Sequence, residues 1–478
     1  MAEVDRRMLL TLAGVGALLA MTMACRSDEA RTGQIGTSFA LTDVNIVDVR
    51  AGEILPHRTI VIDGDRITAI QGASTPLKSG ISVIPSAGKY VLPGLWDMHV
   101  HVTDERYLDL FVANGVTGVR DMGGGLDEPA DGCESVQLSI LQIWRAEVTA
   151  RKRIGPELVI SGPVVSGTGW PSSLPARTPK EAVAAVRTLK RQRVDFIKVY
   201  ERIPLASYEV LAAEAKRNGL LFAGHVPEDV GLLNAIRTGQ RSIEHIRDPL
   251  LVCFTSDPTE LDRFFSKDQW GDEDKEWGRA ANAACPEIIA ALQKNEVWLT
   301  PTLTVEKSKV SVEDPKHVND ERRRLLPQSV RSGYAVYVKG QLAQSAMERA
   351  SRRLWWRTQQ KLVQRMSGEG VRLLAGTDTA CEGGIPGYSL HYELKELVNT
   401  GLSPLDALRA ATIEPARYFN RKNEGAVVAG YRANLLLLDA NPLDNIKNTQ
   451  RIRAVMLDGR LLTRIDLDKL LRRKRLRS

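Results

Sequence analysis

Four histidines stand at or near the ends of short apolar runs that are typical of buried strands. His99 and His101 lie in the run over residues 96–101, and His225 and His245 belong to two later runs. Because side chains alternate along a strand, the i, i+2 spacing of His99 and His101 puts both imidazoles on one face. Imidazole nitrogen is a common ligand of zinc and related divalent ions. The pattern therefore predicts a metal centre to which all four histidines contribute.

Two further residues at the ends of apolar runs fit the same centre. Lys198 lies near the end of residues 194–200. As a neutral amine it can take up carbon dioxide, and the two oxygens of the resulting carbamate can bridge two metal ions. As an ammonium it has only donors and would pair with a carboxylate instead. Asp378 ends the run 371–378, where its carboxylate can accept a proton from a metal-bound water or simply cap a turn.

Three residues are candidates for contacts with a substrate. Tyr200 is two residues after Lys198 and so lies on the same strand face, where its hydroxyl can stabilise an oxyanion or bind a carboxylate. Arg120, near the end of residues 116–121, can bind a carboxylate as a fork or form a structural ion pair. His391 follows the last apolar run, either as a catalytic group facing the pocket or as a packed side chain.

The elements that must position these residues are eight short apolar runs that alternate with stretches of helical periodicity. The runs cover residues 95–102, 116–121, 158–165, 194–200, 221–226, 242–246, 297–304 and 371–378. Eight such units predict an α/β fold, a (β/α)₈ TIM barrel over residues 93–424, with the functional side chains at the carboxyl ends of the strands. We expect the charged insertion at residues 247–296 to cover that mouth.

Both flanks of this region alternate polar and apolar residues with period two, which is typical of antiparallel strands. The flanks are residues 39–92 and 425–465, and residues 63–65 (Asp-Gly-Asp) predict a hairpin turn in the first of them. We expect the two flanks to pair into one small β-sandwich-like domain built from both chain ends.

The first 24 residues have the features of an export signal. Arg6 and Arg7 precede an apolar stretch over residues 8–23, which is short for a membrane span, and Cys25 follows directly after Ala24. We expect a lipoprotein-type signal peptide at 1–24, a linker at 25–38, membrane association through the N-terminus and a periplasmic, outer-membrane or cell-surface location. Plain cleavage and an uncleaved anchor are the alternatives.

Composition is that of an ordinary globular protein, with 478 residues, 43% hydrophobic and 26% charged, and it excludes disordered, collagenous and coiled-coil classes. The net charge is +7, but residues 461–478 hold seven Lys or Arg against two Asp. We therefore interpret residues 466–478 as a basic tail, and the charge indicates no nucleic-acid-binding surface.

The cysteines beyond Cys25 leave their pairing open. Cys133, Cys253, Cys285 and Cys381 allow three pairings, and none has the CxxC spacing of a metal site. Free buried thiols are the alternative to disulfide bonds.

Taken together, the candidate residues resemble the amidohydrolase superfamily, whose metal ligands follow strands one, four, five, six and eight. The matching residues are, in order, His99, His101, Lys198, His225, His245 and Asp378. Residues 91–97, 224–227, 240–245 and 403–419 are also similar to the branch around imidazolonepropionase that contains metal-dependent Xaa-Pro and Xaa-Arg dipeptidases.

The resemblance implies a binuclear metal-dependent hydrolase with two divalent ions, zinc by default. His99, His101 and Asp378 would bind a buried ion and His225 and His245 an exposed one, with N6-carboxylysine at Lys198 bridging both. A metal-bridging hydroxide would then cleave a C–N amide bond in a dipeptide such as Xaa-Pro, or in an N-acyl amino acid. The alternatives are a hydrolase of a cyclic amide, lactone or ester, and a non-catalytic metal-bearing binding lipoprotein. The oligomeric state stays open and includes a homo-oligomer.

Overall fold

A computed structural model describes residues 38–125, 136–168, 172–246, 252–265, 278–279 and 282–472. The expected signal peptide, Cys25 and nearly all of the linker lie outside these ranges, as do Cys133, much of the insertion 247–296 and the end of the basic tail. Within the ranges, none of the helices combines the length and hydropathy that a transmembrane span needs.

Short parallel strands, most of them fully buried, form the middle of the chain. One sheet contains β6 (Leu95–Val100), β7 (Val116–Asp121) and β8 (Glu157–Ile160). A second sheet has the order β10-β9-β11-β12-β13-β14, and its strands are β9 (Val165–Ser166), β10 (Leu174–Pro175), β11 (Phe196–Val199), β12 (Leu221–Gly224), β13 (Ser242–Glu244) and β14 (Trp298–Thr300). Continuous burial is the pattern of parallel strands that are covered on both faces. The predicted α/β class with parallel strands is confirmed.

Helices alternate with these strands. They are α1 (Arg106–Ala113), α2 (Leu138–Thr149), α3 (Pro179–Arg191), α4 (Leu205–Arg217), α5 (Leu232–Thr238), α6 (Pro258–Phe265) and α7 (Cys285–Lys294). The start of α3 shows how the sequence sets a boundary. The Thr178 hydroxyl accepts a hydrogen bond from the amide of Glu181, the Glu181 carboxylate accepts one from the amide of Thr178, and Pro179 opens the helix.

The eighth predicted strand, residues 371–378, has no regular ladder, and two isolated parallel bridges, Leu373 to Leu299 and Thr379 to Val100, join this region to its neighbours. The amide of Leu374 donates to Leu299 O at 2.8 Å on one side, and the amide of Met98 donates to Ala375 O at 2.9 Å on the other. Gly376 packs closely against β6, since a Cβ there would lie 2.9 Å from His99 N. Asp378 has a left-handed backbone with φ +56°, which ends the extended conformation. The segment therefore lies between β14 and β6 without a regular ladder.

Strands from the two sequence flanks share one sheet of eight strands. They are β1 (Ser38–Asp48), β2 (Glu53–Asp63), β3 (Arg66–Gly72), β4 (Ser82–Pro85), β5 (Tyr90–Pro93), β15 (Leu435–Leu438), β16 (Ile452–Leu457) and β17 (Arg460–Thr463). The order is β17-β16-β15-β5-β1-β2-β3, with β4 beside β1. β5 and β15 pair antiparallel, with Val91 opposite Leu437, and both side chains belong to an apolar core under this sheet.

A long helical segment follows β14 and was not predicted. It contains α8 (Leu303–Val310), α9 (Pro315–Val318), a 3₁₀ turn (Glu321–Leu325), α10 (Gln328–Leu342) and α11 (Ala346–Gly368). The remaining helices are α12 (Tyr388–Asn399), α13 (Pro404–Ala410), α14 (Ile413–Tyr418) and α15 (Arg464–Arg472).

One of the cysteine pairings left open by the sequence is present. Cys253 and Cys285 form a disulfide bond with a Cα–Cα distance of 5.5 Å, which joins the segment before α6 to the start of α7. Cys381 is not part of a disulfide bond.

Candidate metal centre

His99, His101 and Asp378 converge where β6 ends. Asp378 Oδ1 lies 3.5 Å from Nε2 of His99 and 3.2 Å from Nε2 of His101. One ligand atom from each of the three residues lies within 4.8 Å of the others, so the set can hold a metal ion. His99 and Asp378, which are 279 positions apart in the chain, thus meet because residues 371–378 lie beside β6.

His245 and His225 extend this group. His245 Nε2 lies 4.0 Å from Asp378 Oδ2, and its ring centroid is 4.7 Å from that of His99 and 5.0 Å from that of His225. His225 follows β12 directly after Gly224, which has φ +140° and where a Cβ would lie 2.0 Å from Val199 O. The four predicted imidazoles therefore form one contiguous cluster around Asp378.

Hydrogen bonds at Nδ1 direct two of these imidazoles. His99 Nδ1 lies 2.8 Å from Oε2 of the buried Glu244, and His245 Nδ1 lies 2.7 Å from the hydroxyl of Thr302. Contacts of this kind leave Nε2 as the ligand atom and are typical around metal-binding histidines. Among the described residues, the buried Nε2 of His99 has no hydrogen-bond partner, a costly state for a polar atom unless it binds a ligand. The donor set thus fits a metal ion.

The protonation states also suit metal binding. Burial, followed by the charge of Lys198, lowers the pKa of His99 to about 4, so the imidazole is neutral near pH 7. Burial alone would raise the pKa of Asp378, but His99 and a hydrogen bond with His101 hold it well below its usual range. A neutral imidazole and an ionised carboxylate are the forms that bind a cation.

Lys198 and Tyr200 lie beside the cluster. Lys198 is 2% exposed on β11. Its charge contributes to the lowered pKa of Glu244 and opposes the groups that raise the pKa of His101. The ring centroid of Tyr200 is 4.2 Å from that of His225. The roles assigned to both residues stay predictions.

The structure contradicts a substrate-binding role for Arg120. Its side chain is fully buried, with Nε donating to Met98 O at 2.6 Å and Nη1 donating to Ser242 Oγ and Tyr418 Oη at 2.8 Å each. Nη2 donates to Glu244 Oε1 at 2.7 Å. Because these contacts occupy the guanidinium inside the core, Arg120 orients Glu244 and does not reach a substrate.

A catalytic role for His391 is likewise wrong. The side chain is 2% exposed on α12, with Nδ1 2.9 Å from Thr449 Oγ1 and Nε2 3.0 Å from Asn114 O. Burial lowers its pKa to about 4, which keeps the imidazole neutral. Both ring nitrogens are engaged in packing contacts, so the alternative of a packed side chain is the correct one.

Sequence reasoning missed Glu244 and Thr302. Glu244 directly precedes His245, and a charged residue inside an apolar run was the available signal for a buried partner. Thr302 has φ +49°, an unusual conformation for a β-branched residue, and no feature of the sequence indicates it.

A cavity of about 380 Å³ adjoins the loop that carries Asp378 and was also missed. Its walls come from α8, the segment 311–323, residues 381–385 and α12, with Thr377 among them. The described part of the insertion 247–296 contributes no residue to these walls. The segment after β14 therefore lies beside the site, and the expected place of the insertion over the barrel mouth stays a prediction because part of it lies outside the described residues.

Comparison with known proteins gives a family match over most of the chain. Residues 90–462 match the Amidohydrolase family. Among solved structures, bottromycin amidohydrolase has a TM-score of 0.69 at 24% identity, covering 91% of this chain and 89% of that chain. A Xaa-Pro dipeptidase with methionine bound in its active site has a TM-score of 0.63 at 19% identity, covering 89% of this chain and 100% of that chain. At these identities the likeness concerns the fold.

Similarity to curated proteins is local. An adenine deaminase from Bradyrhizobium sp. is 31% identical over 117 residues, which is 23% of this chain and 19% of that protein. An adenine deaminase from Chelativorans sp. is 25% identical over 226 residues, 43% of this chain and 34% of that protein. The chain thus spans about a fifth of the first relative and about a third of the second.

Proposed function

The chain belongs to the amidohydrolase family and is a hydrolase, and from this premise we propose that it cleaves a C–N amide bond with the help of bound metal ions. The substrate is a small molecule, namely a dipeptide such as Xaa-Pro or an N-acyl amino acid. The observation that carries the proposal is the convergence of His99, His101 and Asp378, with ligand atoms within 4.8 Å of one another.

The proposal assigns two divalent ions, zinc by default, to the six predicted ligands. His99, His101 and Asp378 would hold one ion and His225 and His245 the other, while Lys198 would bridge them as N6-carboxylysine. The 5.0 Å separation of the His225 and His245 rings and the burial of Lys198 support this assignment. When bound, two divalent ions lower the pKa of a coordinated water and polarise the scissile carbonyl.

The side chains have distinct roles in the proposed reaction. Asp378, ionised and within 4.0 Å of three imidazoles, would accept the proton of the attacking water and pass it to the departing amine. Tyr200, beside His225, would donate its hydroxyl to the developing oxyanion. Glu244 and Thr302 would hold His99 and His245 with Nε2 toward the ions.

We further propose that residues 93–424 form a closed (β/α)₈ barrel and residues 39–92 and 425–465 a small β domain. Hydrogen bonds on both sides of residues 371–378 support closure, and the amide of Asp195 donates to Ile160 O at 2.9 Å where β8 meets β11. A closed barrel would bring the carboxyl ends of all strands to one mouth.

The proposal also includes export and lipid attachment at Cys25, which the mass of the mature N-terminal peptide would test.

A substrate panel tests the proposed activity. Protein loaded with zinc is assayed against Xaa-Pro dipeptides, N-acetyl amino acids, a lactone, an ester and adenine, and we expect amine release from the amides. Turnover of the lactone or ester alone would favour the alternative hydrolase of lactones and esters. Ammonia release from adenine alone would indicate a deaminase, and the absence of any turnover would favour a binding protein.

A variant pair tests the bridging lysine. Lys198→Ala should lose amide hydrolysis and bound metal, whereas Lys216→Ala, which removes an exposed lysine from α4, should keep both. One metal ion per chain with full activity in Lys198→Ala would overturn the binuclear assignment.

A further inference from the structure

The wall of the cavity includes residues that flank Asp378 in the chain, although none of the six candidate metal ligands lines it. Thr377 and Cys381, which both line it, lie on either side of Asp378 in the sequence. The amide of Cys381 donates to Asp378 O at 2.9 Å, so this wall and the metal-site loop form one compact turn. A volume of about 380 Å³ is in the range of cavities that bind small molecules.

Arg323 lines this cavity as a buried cation that the carboxylate of Asp320 attracts only at longer range. The residue is 9% exposed, and no carboxylate of the described residues lies within 4.0 Å of its guanidinium. Nε donates to Gly383 O at 3.3 Å, and Nη1 donates to the backbone oxygens of His317 and Val318. The guanidinium carbon lies 4.2 Å from the ring centroid of Tyr334. A buried charge that has only neutral partners is costly, and an anionic ligand would relieve that cost.

His317 offers a second donor in the same wall. Its ring lines the cavity, and its buried Nε2 has no hydrogen-bond partner among the residues the structure describes. Burial and the charge of Arg323 lower the pKa of His317 to about 4, so the ring is neutral near pH 7. A neutral imidazole carries one N–H, and a hydrogen-bond acceptor for it would remove the cost of a buried Nε2 without a partner.

The acidic side chains of the cavity have partners of their own. Asp320 accepts two hydrogen bonds from Arg322, at 2.8 and 2.6 Å. Glu382 accepts from Ser308 and Tyr337 at 3.3 Å each and lies 3.9 Å from Lys309 Nζ. Asp314 accepts from the amide at the start of α9, and Glu396 lies 3.9 Å from Lys395 Nζ. Among the described residues, Arg323 is therefore the buried cation of the wall without a carboxylate within 4.0 Å, whereas Lys307 and Lys316, which also line the cavity, are half-buried and exposed.

We propose that this cavity binds the carboxylate of the substrate, with Arg323 as the charged donor and His317 as a second donor. Arginine binds carboxylates through parallel N–H donors, and Nη2 of Arg323 has no partner among the described residues. The inference rests on the proposed function and narrows it, because it selects dipeptides and N-acyl amino acids over neutral cyclic amides and lactones.

Kinetics on a matched substrate pair test this site. The pair is an N-acetyl amino acid and its carboxamide, which differ only in the negative charge. In Arg323→Met, KM for the acid should rise about 10- to 100-fold, as expected for a lost charged hydrogen bond, while KM for the carboxamide and kcat for both stay within about twofold. Arg324→Met is the control, since it removes an exposed cation from the same 3₁₀ turn and should leave both substrates unaffected.

A binding measurement separates this inference from the proposed reaction. Calorimetry with the N-acetyl amino acid on metal-free protein should show equal affinity in the wild type and Arg324→Met and an affinity about 10- to 100-fold lower in Arg323→Met. Binding without any hydrolysis by the zinc-loaded wild type would refute the proposed function and keep the carboxylate site. Equal KM changes for both substrates, or unchanged calorimetry in Arg323→Met, would overturn the site. If Arg323→Met does not fold, Arg323→Gln takes its place with the same criteria, since glutamine removes the charge and keeps a polar side chain.

Discussion

Replacing Glu244 by glutamine should weaken metal binding and folding together, because this carboxylate joins His99 to Arg120. Its two oxygens lie 2.8 Å from His99 Nδ1 and 2.7 Å from Arg120 Nη2, and the side chain is 1% exposed. Burial alone would raise the pKa of Glu244, but the charge of Arg120 and the hydrogen bond with His99 keep it well below its usual range. The native site therefore contains an ionised carboxylate.

Glutamine cannot satisfy both partners. If its oxygen faces His99 Nδ1–H, its amino group points at the Arg120 guanidinium, where two donors oppose each other. If it is flipped, its amino group faces His99 and favours the tautomer with hydrogen on Nε2, which cannot bind a metal. Removing one partner of a buried ion pair costs about 3–5 kcal/mol of folding free energy. Loss of an indirect contact to a metal ligand costs about 10- to 100-fold in metal affinity.

Two measurements check Glu244→Gln. Urea unfolding of the metal-free protein should show an unfolding free energy lower by about 3 kcal/mol, and zinc titration with a competing chelator should show the weaker affinity. Glu414→Gln is the control, since Glu414 is buried and accepts from Trp298 Nε1 at 2.9 Å with no imidazole contact. Zinc affinity within about twofold of the wild type in Glu244→Gln would refute the reasoning.

Three further predictions concern other residues. Because burial lowers the pKa of His391 from 6.5 to about 4, the unfolded chain binds protons more tightly there, so the unfolding free energy should fall as pH falls from 6.5 to about 4. His391 contributes at most about 1.4 kcal/mol per pH unit to the slope of the unfolding free energy against pH. Urea unfolding of His391→Gln at several pH values should show the slope without this contribution, and kcat should be retained. Thr302→Val should weaken zinc affinity about 10-fold through the lost contact to His245 Nδ1, whereas Thr302→Ser should keep it, and chelator titration measures both. Cys285→Ser should lower the unfolding free energy, measured by urea unfolding, by about 3–4 kcal/mol, because the disulfide bond closes a loop with a sequence separation of 32. The zinc content, measured by elemental analysis, should stay unchanged.

The sequence predicted the candidate metal ligands because their signals are local. Alternation along β6 puts His99 and His101 on one face, and apolar runs locate the strand ends that carry His225 and His245. Parallel strands buried on both faces give nearly continuous apolar runs, so the α/β class was also readable. The eighth run reads as a strand, yet the close packing of Gly376 and the left-handed backbone of Asp378 leave it without a regular ladder.

Contacts between distant parts of the chain could not be predicted. Arg120 meets Ser242 and Tyr418, which are 122 and 298 residues away, and these partners decide that it is structural. The partners of His391 are 58 and 277 residues away. The pairing of Cys253 with Cys285 and the burial of Arg323 beside the Asp378 loop likewise depend on how α6 to α9 pack, which periodicity does not encode.

Anomalous X-ray diffraction at the zinc absorption edge, from crystals grown with zinc, tests the metal centre most directly. We expect two peaks, one in contact with His99, His101 and Asp378 and the other in contact with His225 and His245, with density for a carboxylated Lys198 between them. A single peak, peaks away from these side chains, or an unmodified Lys198 paired with a carboxylate would contradict it.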